Sequence, residues 1–254
     1  MDIKNKAAIV SGGASGMGAE TAKMLSEAGA KVAIFDLNFE AAEKIAADIQ
    51  GIAIACDVTQ AKSVEIAIEK ARARHGAARI CINCAGVVKS KRMVGKEGPM
   101  PLDEFREVIE INLIGTFNLM RLAAADMINL SPLNESDERG IIINTASIAG
   151  FEGQIGQTAY SASKGGVISL TLPAARELAQ FGIRVNTIAP GLVDTPMFEK
   201  LSAEARKALI STIPFPKRLA LPSEYAKLAL HIIDNAMING EVIRIDGALR
   251  LQPK

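Results

Sequence analysis

The stretch AAIVSGGASGMG, Ala7 to Gly18, decides the fold. Residues 7–10 are a short apolar run of strand character. From about residue 17 to 28 the apolar positions recur with the spacing of an amphipathic helix. Between them lie Gly12, Gly16 and Gly18, a GxxxGxG turn. Glycine tolerates positive φ and lets another backbone or a ligand come close. A helix that starts on such a turn presents unpaired N–H groups and the positive end of its dipole, a setting that suits phosphate. Strand, glycine turn and helix in that order open a parallel α/β sheet.

Outward from this point the alternation continues. Strand-like runs fall at 31–35, 52–55, 79–83, 140–144, 183–188 and 241–245. Helical patterns fall at 40–49, 63–75, 158–180, 203–210 and 222–234, and a long amphipathic segment covers 102–128. Runs such as ICIN and IIIN are apolar almost throughout, as expected of strands covered on both faces. The pattern predicts an α/β protein: one doubly wound Rossmann domain over 1–254, with a mostly parallel seven-stranded sheet and helices on both faces. Two stretches depart from it, 89–101 and 131–140, and both read as surface loops. Lys89, Lys91 and Arg92 in the first are candidates for an anionic substrate tail; a solvated loop is the plainer reading.

Composition excludes several function classes. Of 254 residues 49% are hydrophobic, enough for a sizeable core, and the formal charge is +1. Nucleic acid and membrane surfaces therefore gain no support as partners. The opening residues lack the pattern of a signal peptide, and no apolar run approaches the ~18 residues that span a bilayer. A cytoplasmic protein is expected. Cys81 and Cys84 have CxxC spacing, but residues three apart on a strand face opposite ways. With no second CxxC and two distant histidines, the three cysteines read as reduced and buried, and no metal site is expected.

Candidate site residues gather at the carboxyl ends of strands, where open α/β sheets bind ligands. The backbone of Ser15 and Met17, and the Ser15 hydroxyl, can meet a pyrophosphate beside Gly12, Gly16 and Gly18. Asp36 ends the second strand, placed to accept hydrogen bonds from both ribose hydroxyls and to repel a 2′-phosphate. The turn has no Arg or Lys to hold such a phosphate, so NAD is favoured over NADP. Asp57 and Val58 are candidates for the adenine edge, and Asn83, Cys84, Ala85 and Gly86 for the cofactor path. Tyr160 and Lys164 stand one helical turn apart on one face. An ammonium beside a phenol stabilises the phenolate and lowers its pKa toward working pH, which suits an acid/base. Ser147 follows the IIINTA strand, where its hydroxyl can bind a reacting carbonyl or alcohol. A Ser-His-Asp hydrolase fails for want of a GxSxG elbow.

Taken in order, GxxxGxG, Asn83 to Gly86, Asn112, Ser147, YxxxK and Pro190-Gly191 resemble the short-chain dehydrogenase/reductase family over nearly the whole chain. The resemblance implies Tyr160 as acid/base, Lys164 as ribose ligand, Ser147 as substrate anchor and Asn112 as holder of a relay water. It also implies nicotinamide contacts from Pro190, Gly191, Val193 and Thr195. The segments RGIIINTASIAGFEGQIGQTAYSASKGG, IPFPKRLALPSEYA and NGEVIRIDGALRLQP are similar to the type II 3-hydroxyacyl-CoA dehydrogenases, which also act on 17β-hydroxysteroids. That likeness implies oxidation of 3-hydroxyacyl-CoA with NAD, thioester contacts at Gln154 and Gln157, a substrate lid at about 192–216 and a homotetramer. Its rivals are a 3-oxoacyl-acyl-carrier-protein-type reductase, a hydroxysteroid dehydrogenase and, from another class, a scaffold that binds NAD without turnover.

Overall fold

The computed structural model describes residues 1–196 and 202–253. Strand β1 (Ala7–Ser11) is buried along its whole length and leads through the glycine turn into α1 (Gly16–Glu27). There follow β2 (Lys31–Asp36), α2 (Phe39–Asp48), β3 (Ile52–Ala55), α3 (Ala61–His75) and β4 (Ile80–Asn83). A two-residue hairpin, β5 (Val94–Gly95) and β6 (Gly98–Pro99), precedes α4 (Leu102–Ile109), a π turn (Glu110–Ile114) and α5 (Gly115–Met127). The second half contains β7 (Gly140–Thr145), a 3-10 turn (Ile148–Gly150), α6 (Thr158–Ala179), β8 (Ile183–Pro190), α7 (Ala203–Ser211), α8 (Pro222–Asp234) and β9 (Val242–Ile245).

Seven strands form one sheet in the order β3-β2-β1-β4-β7-β8-β9, every pair parallel. The chain winds outward from β1 to β3, returns to β4 beside β1, and winds the other way. This reversal opens a crevice at the carboxyl ends of β1 and β4, where Ser11 pairs with Asn83. Period-two alternation divides the core. Ile9, Phe35, Cys81 and Ile142 face α3, α5 and α6, whereas Val10, Ile34, Ile82 and Ile143 face α1, α2 and α8. Cys81 thus packs in one layer and Cys84 against the other, and all three cysteines are free.

Several expectations need correction. The amphipathic segment at 102–128 is not a single α-helix, because its register steps through the π turn, where Gly115 N bonds Glu110 O. A Cβ at Gly115 would lie 2.6 Å from Val58 Cγ2, so the step seats this turn directly against the end of β3. By length and composition Leu102–Met127 could cross a bilayer, but half of its apolar window is buried in the fold. In the 89–101 loop, Lys89 and Lys91 turn onto α4 and pair with Glu107 and Glu104, each at 2.5 Å, rather than standing free for an anionic ligand.

The 131–140 loop is more than a solvated connection. Glu138 is buried and pairs with buried Arg184 of β8 at 3.0 Å. The same guanidinium donates to the carbonyls of Ile232, Ile233 and Ile238 at 2.7–2.9 Å, capping the end of α8. Of the lid expected at 192–216, residues 197–201, including Phe198, lie outside the described residues.

Candidate active site

Two adjoining pockets, which share Met17, Cys84, Gly86, Val87 and Thr195, form a cleft along the carboxyl ends of the sheet. Its first half is built on the glycine turn, where Gly12 and Gly16 have φ of 64° and 53°. A Cβ on Gly12 would lie 2.6 Å from Ala85 N, and one on Gly18 would lie 2.2 Å from Gly12 O. Side chains at these two positions would fill the cradle and push α1 off the turn. Ser15 caps α1 in an extended conformation and makes no side-chain cap bond, and among the described residues its hydroxyl has no partner at the helix N-terminus. Met17 and Thr195 line the cleft where its two halves meet.

Asp36 reaches the cleft with its carboxylate fixed, accepting from Ala14 N at 3.0 Å and Asn38 N at 2.9 Å. Each oxygen keeps acceptor capacity for a ligand hydroxyl. Asp57 and Val58 line the far end. Asp57 Oδ1 is engaged by the Thr59 amide and hydroxyl, and the Val58 carbonyl by Asn118, so both are held in place from behind. Cys84, Ala85 and Gly86 form the wall. Asn83 is not part of it: its side chain is buried and donates to Asn144 Oδ1 at 2.8 Å, tying β4 to β7 beneath the floor. As the last residue of β4 it points into the sheet, and the wall begins one residue later.

The second half brings Ser147, Gln154, Gln157, Tyr160, Lys164, Pro190, Gly191 and Val193 to one pocket. Ser147 caps the 3-10 turn, its Oγ accepting from Ala149 N at 3.1 Å, so its proton remains free to donate. Lys164 is buried, and its Nζ donates to the main-chain carbonyl of Thr145 at 2.7 Å. Burial pushes this ammonium down to about 8, opposed by Cys84. Tyr160 departs from expectation: burial raises its phenol above the ordinary value, opposed by the Ser147 hydroxyl.

Asn112 lies in the π turn with no exposed surface. Its Oδ1 accepts from Val87 N at 2.8 Å, and its Nδ2 donates to Val87 O at 2.9 Å and Ser163 Oγ at 3.1 Å. Both amide protons are used, so the side chain braces the Gly86–Val87 wall. A Cβ at Gly86 would meet Asn112 Oδ1 at 3.1 Å and Lys164 Nζ at 3.5 Å, so the glycine lets the wall run close to both groups.

The wall away from the glycine turn was not legible as such. Leu251 lines the pocket beside Gln154 and Gln157. Its segment is tied to the 151–157 loop by Gln154 Nε2 to Gln252 O at 2.9 Å and Ile155 N to Pro253 O at 3.1 Å. Arg244 fastens both, bonding Glu152, Asp246 and the Leu249 carbonyl while its guanidinium sits 5.1 Å from the Phe151 ring centre. Thr145 was missed too, although its place at the end of an apolar strand two residues before Ser147 was a usable signal.

Comparison with known proteins accords with this geometry. A family model described as short chain dehydrogenase matches residues 6–206. The 3-hydroxyacyl-CoA dehydrogenase type-2 of Bos taurus is 47% identical, over 99% of this chain and 97% of the relative. That of Drosophila melanogaster is 46% identical over 99% of this chain and all of the relative. A 3-oxoacyl-[acyl-carrier-protein] reductase of Thermotoga maritima is 33% identical over 98% and 99%. The crystal structure of 3-hydroxyacyl-CoA dehydrogenase type-2 from Mycobacterium avium superposes with a TM-score of 0.94, at 44% identity and 98% coverage of both chains.

Proposed function

The chain belongs to the short-chain dehydrogenase family, and from this premise we propose that it oxidises 3-hydroxyacyl-CoA thioesters to 3-oxoacyl-CoA with NAD as hydride acceptor. The observation that carries the reading is one cleft joining the Gly12–Gly18 cradle and Asp36 to Ser147, Tyr160 and Lys164. The substrate class is supported by relatives named for 3-hydroxyacyl-CoA, at 46–47% identity over essentially the whole chain. NAD rather than NADP is supported by the fixed Asp36 carboxylate, where a 2′-phosphate would meet like charge.

The residues fit such a cofactor: the cradle admits no Cβ at Gly12 or Gly18, and the Ser15 hydroxyl, which makes no cap bond, stands beside the α1 amides. Bound there, NAD would accept a hydride from the substrate carbinol carbon. Ser147 donates a hydrogen bond to the substrate oxygen and holds it toward Tyr160. Tyr160 takes the hydroxyl proton as base. Lys164 supplies the positive charge that offsets burial of the phenolate, and binds the adjacent ribose. Asn112, whose Oδ1 borders Gly86 as the Lys164 ammonium does, would hold the relay water through which the proton leaves. Pro190, Gly191, Val193 and Thr195 border the nicotinamide end, and Gln154 and Gln157 the thioester end. A homotetramer belongs to the same reading, supported by exposed Ile114, Phe117 and Leu172 on α5, α6 and the π turn. So does a cytoplasmic location, supported by three free thiols.

The test is a panel of 3-hydroxyacyl-CoA substrates of differing length, with a 2-methyl-branched member and a steroid, each with NAD and NADP. Turnover of an acyl-CoA with NAD is expected to dominate. A clear NADP preference would favour the reductase-like alternative, and no turnover of any secondary alcohol would leave a binding scaffold.

A further inference from the structure

Where the cleft meets α8 lies a polar cluster that the mechanism above does not use. Tyr225, one of two tyrosines in the chain, sits on α8 and is 1% exposed. Burying a phenol hydroxyl without a partner is unfavourable, and a phenylalanine would pack here without that penalty. The hydroxyl has partners. Tyr225 Oη lies 2.7 Å from Thr145 Oγ1, the Thr145 hydroxyl is 3.5 Å from Cys84 Sγ, and the Cys84 thiol is 3.6 Å from Tyr225 Oη. Three donors and three acceptors close a ring: tyrosine to threonine, threonine to thiol, thiol to tyrosine. It joins the end of β7, the end of β4 and α8 at one point.

Thr145 is the residue whose main-chain carbonyl receives the Lys164 ammonium at 2.7 Å. We propose that Tyr225 and Thr145 are positioning residues for Lys164: the Tyr225 hydroxyl locks the Thr145 side chain, and thereby the carbonyl that aims the ammonium into the cleft. This rests on the reading of Tyr160 and Lys164 as the acid/base pair.

The surroundings of Lys164 give that carbonyl its weight. Cys84 faces it from the end of β4, and burial raises this thiol above its ordinary value. Tyr160 stands on the same helix, and Asn112 borders Gly86 as Lys164 does. Among the described residues no carboxylate pairs with Lys164. The Thr145 carbonyl is therefore the oriented dipole that compensates a buried cation. Tyr225 is itself well anchored. Glu224 beside it accepts from Leu221 N at 2.8 Å and pairs with Arg218 at 2.7 Å, fixing the first turn of α8.

The sign of the effect follows. Freeing Thr145 weakens the Lys164 hydrogen bond, so the ammonium is less stable and less well aimed at Tyr160. The Tyr160 phenolate then forms at higher pH. In the oxidation direction the acid limb of the kcat/KM profile moves up.

The experiment is the pH profile of kcat/KM for wild type, Tyr225→Phe, Thr145→Val and the double variant, with melting temperatures measured alongside. Either single change is expected to move the acid limb up by about half a pH unit, corresponding to loss of one hydrogen bond, and to lower kcat more than it changes KM. The double variant should resemble the singles, because one ring is broken in each case. Thr145→Ser, which keeps the hydroxyl, should hold the limb in place. A Tyr225→Phe protein with a lower melting temperature and an unmoved limb would reduce the ring to a structural fastening and overturn the proposal. If that variant does not fold, Thr145→Val carries the same decision. A wild-type limb that survives Tyr160→Phe would instead refute the acid/base reading itself.

Discussion

Replacing Gly18 with alanine tests whether the cradle at the start of α1 is built as tightly as its geometry says. The new Cβ would lie 2.2 Å from Gly12 O and 2.8 Å from Gly12 C, both main-chain atoms that no side-chain rotation can relieve. Contacts of a Cβ below 3.0 Å do not persist, so helix and turn must part by about 0.8 Å. Alanine favours a helix over glycine by ~1 kcal/mol, whereas overpacking against an unyielding neighbour costs ~1–3 kcal/mol. The clash is with backbone, so the upper end applies and the net loss is about 1–2 kcal/mol. For a domain of this size that lowers the melting temperature by roughly 3–6 °C. The larger effect is on binding. Moving the α1 amides and dipole from a pyrophosphate weakens one or two charge-assisted hydrogen bonds, expected to loosen NADH about 10- to 100-fold. Titration of NADH fluorescence and a thermal melt measure both. A Gly18→Ala protein that binds NADH within twofold of wild type would refute the reasoning, because the turn would then be free to yield.

Three further outcomes are expected. Tyr160→Phe should keep NADH binding by the same titration while turnover falls at least ~10²-fold, the range for loss of an acid/base; near-normal turnover would remove Tyr160 from the chemistry. Lys164 has a folded pKa of about 8 against 10.5 for the free side chain, so between these values the unfolded chain binds more protons and stability from this group rises with pH. Below pH 8 its full burial penalty is present, and any stability advantage of Lys164→Met should shrink from pH 8 to 10.5 in thermal melts; a constant difference would show that the ammonium is not destabilised by burial. Arg184→Met strands Glu138 and the α8 carbonyls, which should lower stability by ~3–5 kcal/mol in denaturant unfolding, and a loss under 1 kcal/mol would mean that water takes the place of the guanidinium.

The parts of the fold that the sequence revealed are those written in local pattern. AAIVSGGASGMG announced a strand, a turn needing positive φ and a helix, and Gly12 and Gly16 adopt such dihedrals. Runs such as IIIN announced strands covered on both faces, and β7 is buried throughout. What stayed hidden depends on partners distant in the chain. Glu138 sits among polar residues that look solvated, and its buried partner Arg184 lies 46 positions on. Asn83 looked like cofactor wall until Asn144 claimed its amide from the neighbouring strand. The step in the 102–128 segment follows from the fit of Gly115 against Val58, which no helical periodicity encodes. Tyr225 and Thr145 are 80 residues apart, so their link could not be read from spacing.

The Arg244 fastening has a consequence for how such a protein changes over generations. The floor of the cleft is woven into the sheet, and an alteration there disturbs several strands at once. Leu251 and its neighbours are instead mounted on the rim by one guanidinium and a few main-chain bonds. A substitution at Leu251 changes a side chain that lines the reaction pocket and packs on the cluster of Ile148 and Leu249, rather than one built into a strand. That makes the tail an exchangeable fitting, through which a lineage can explore new alcohols without first losing the old chemistry.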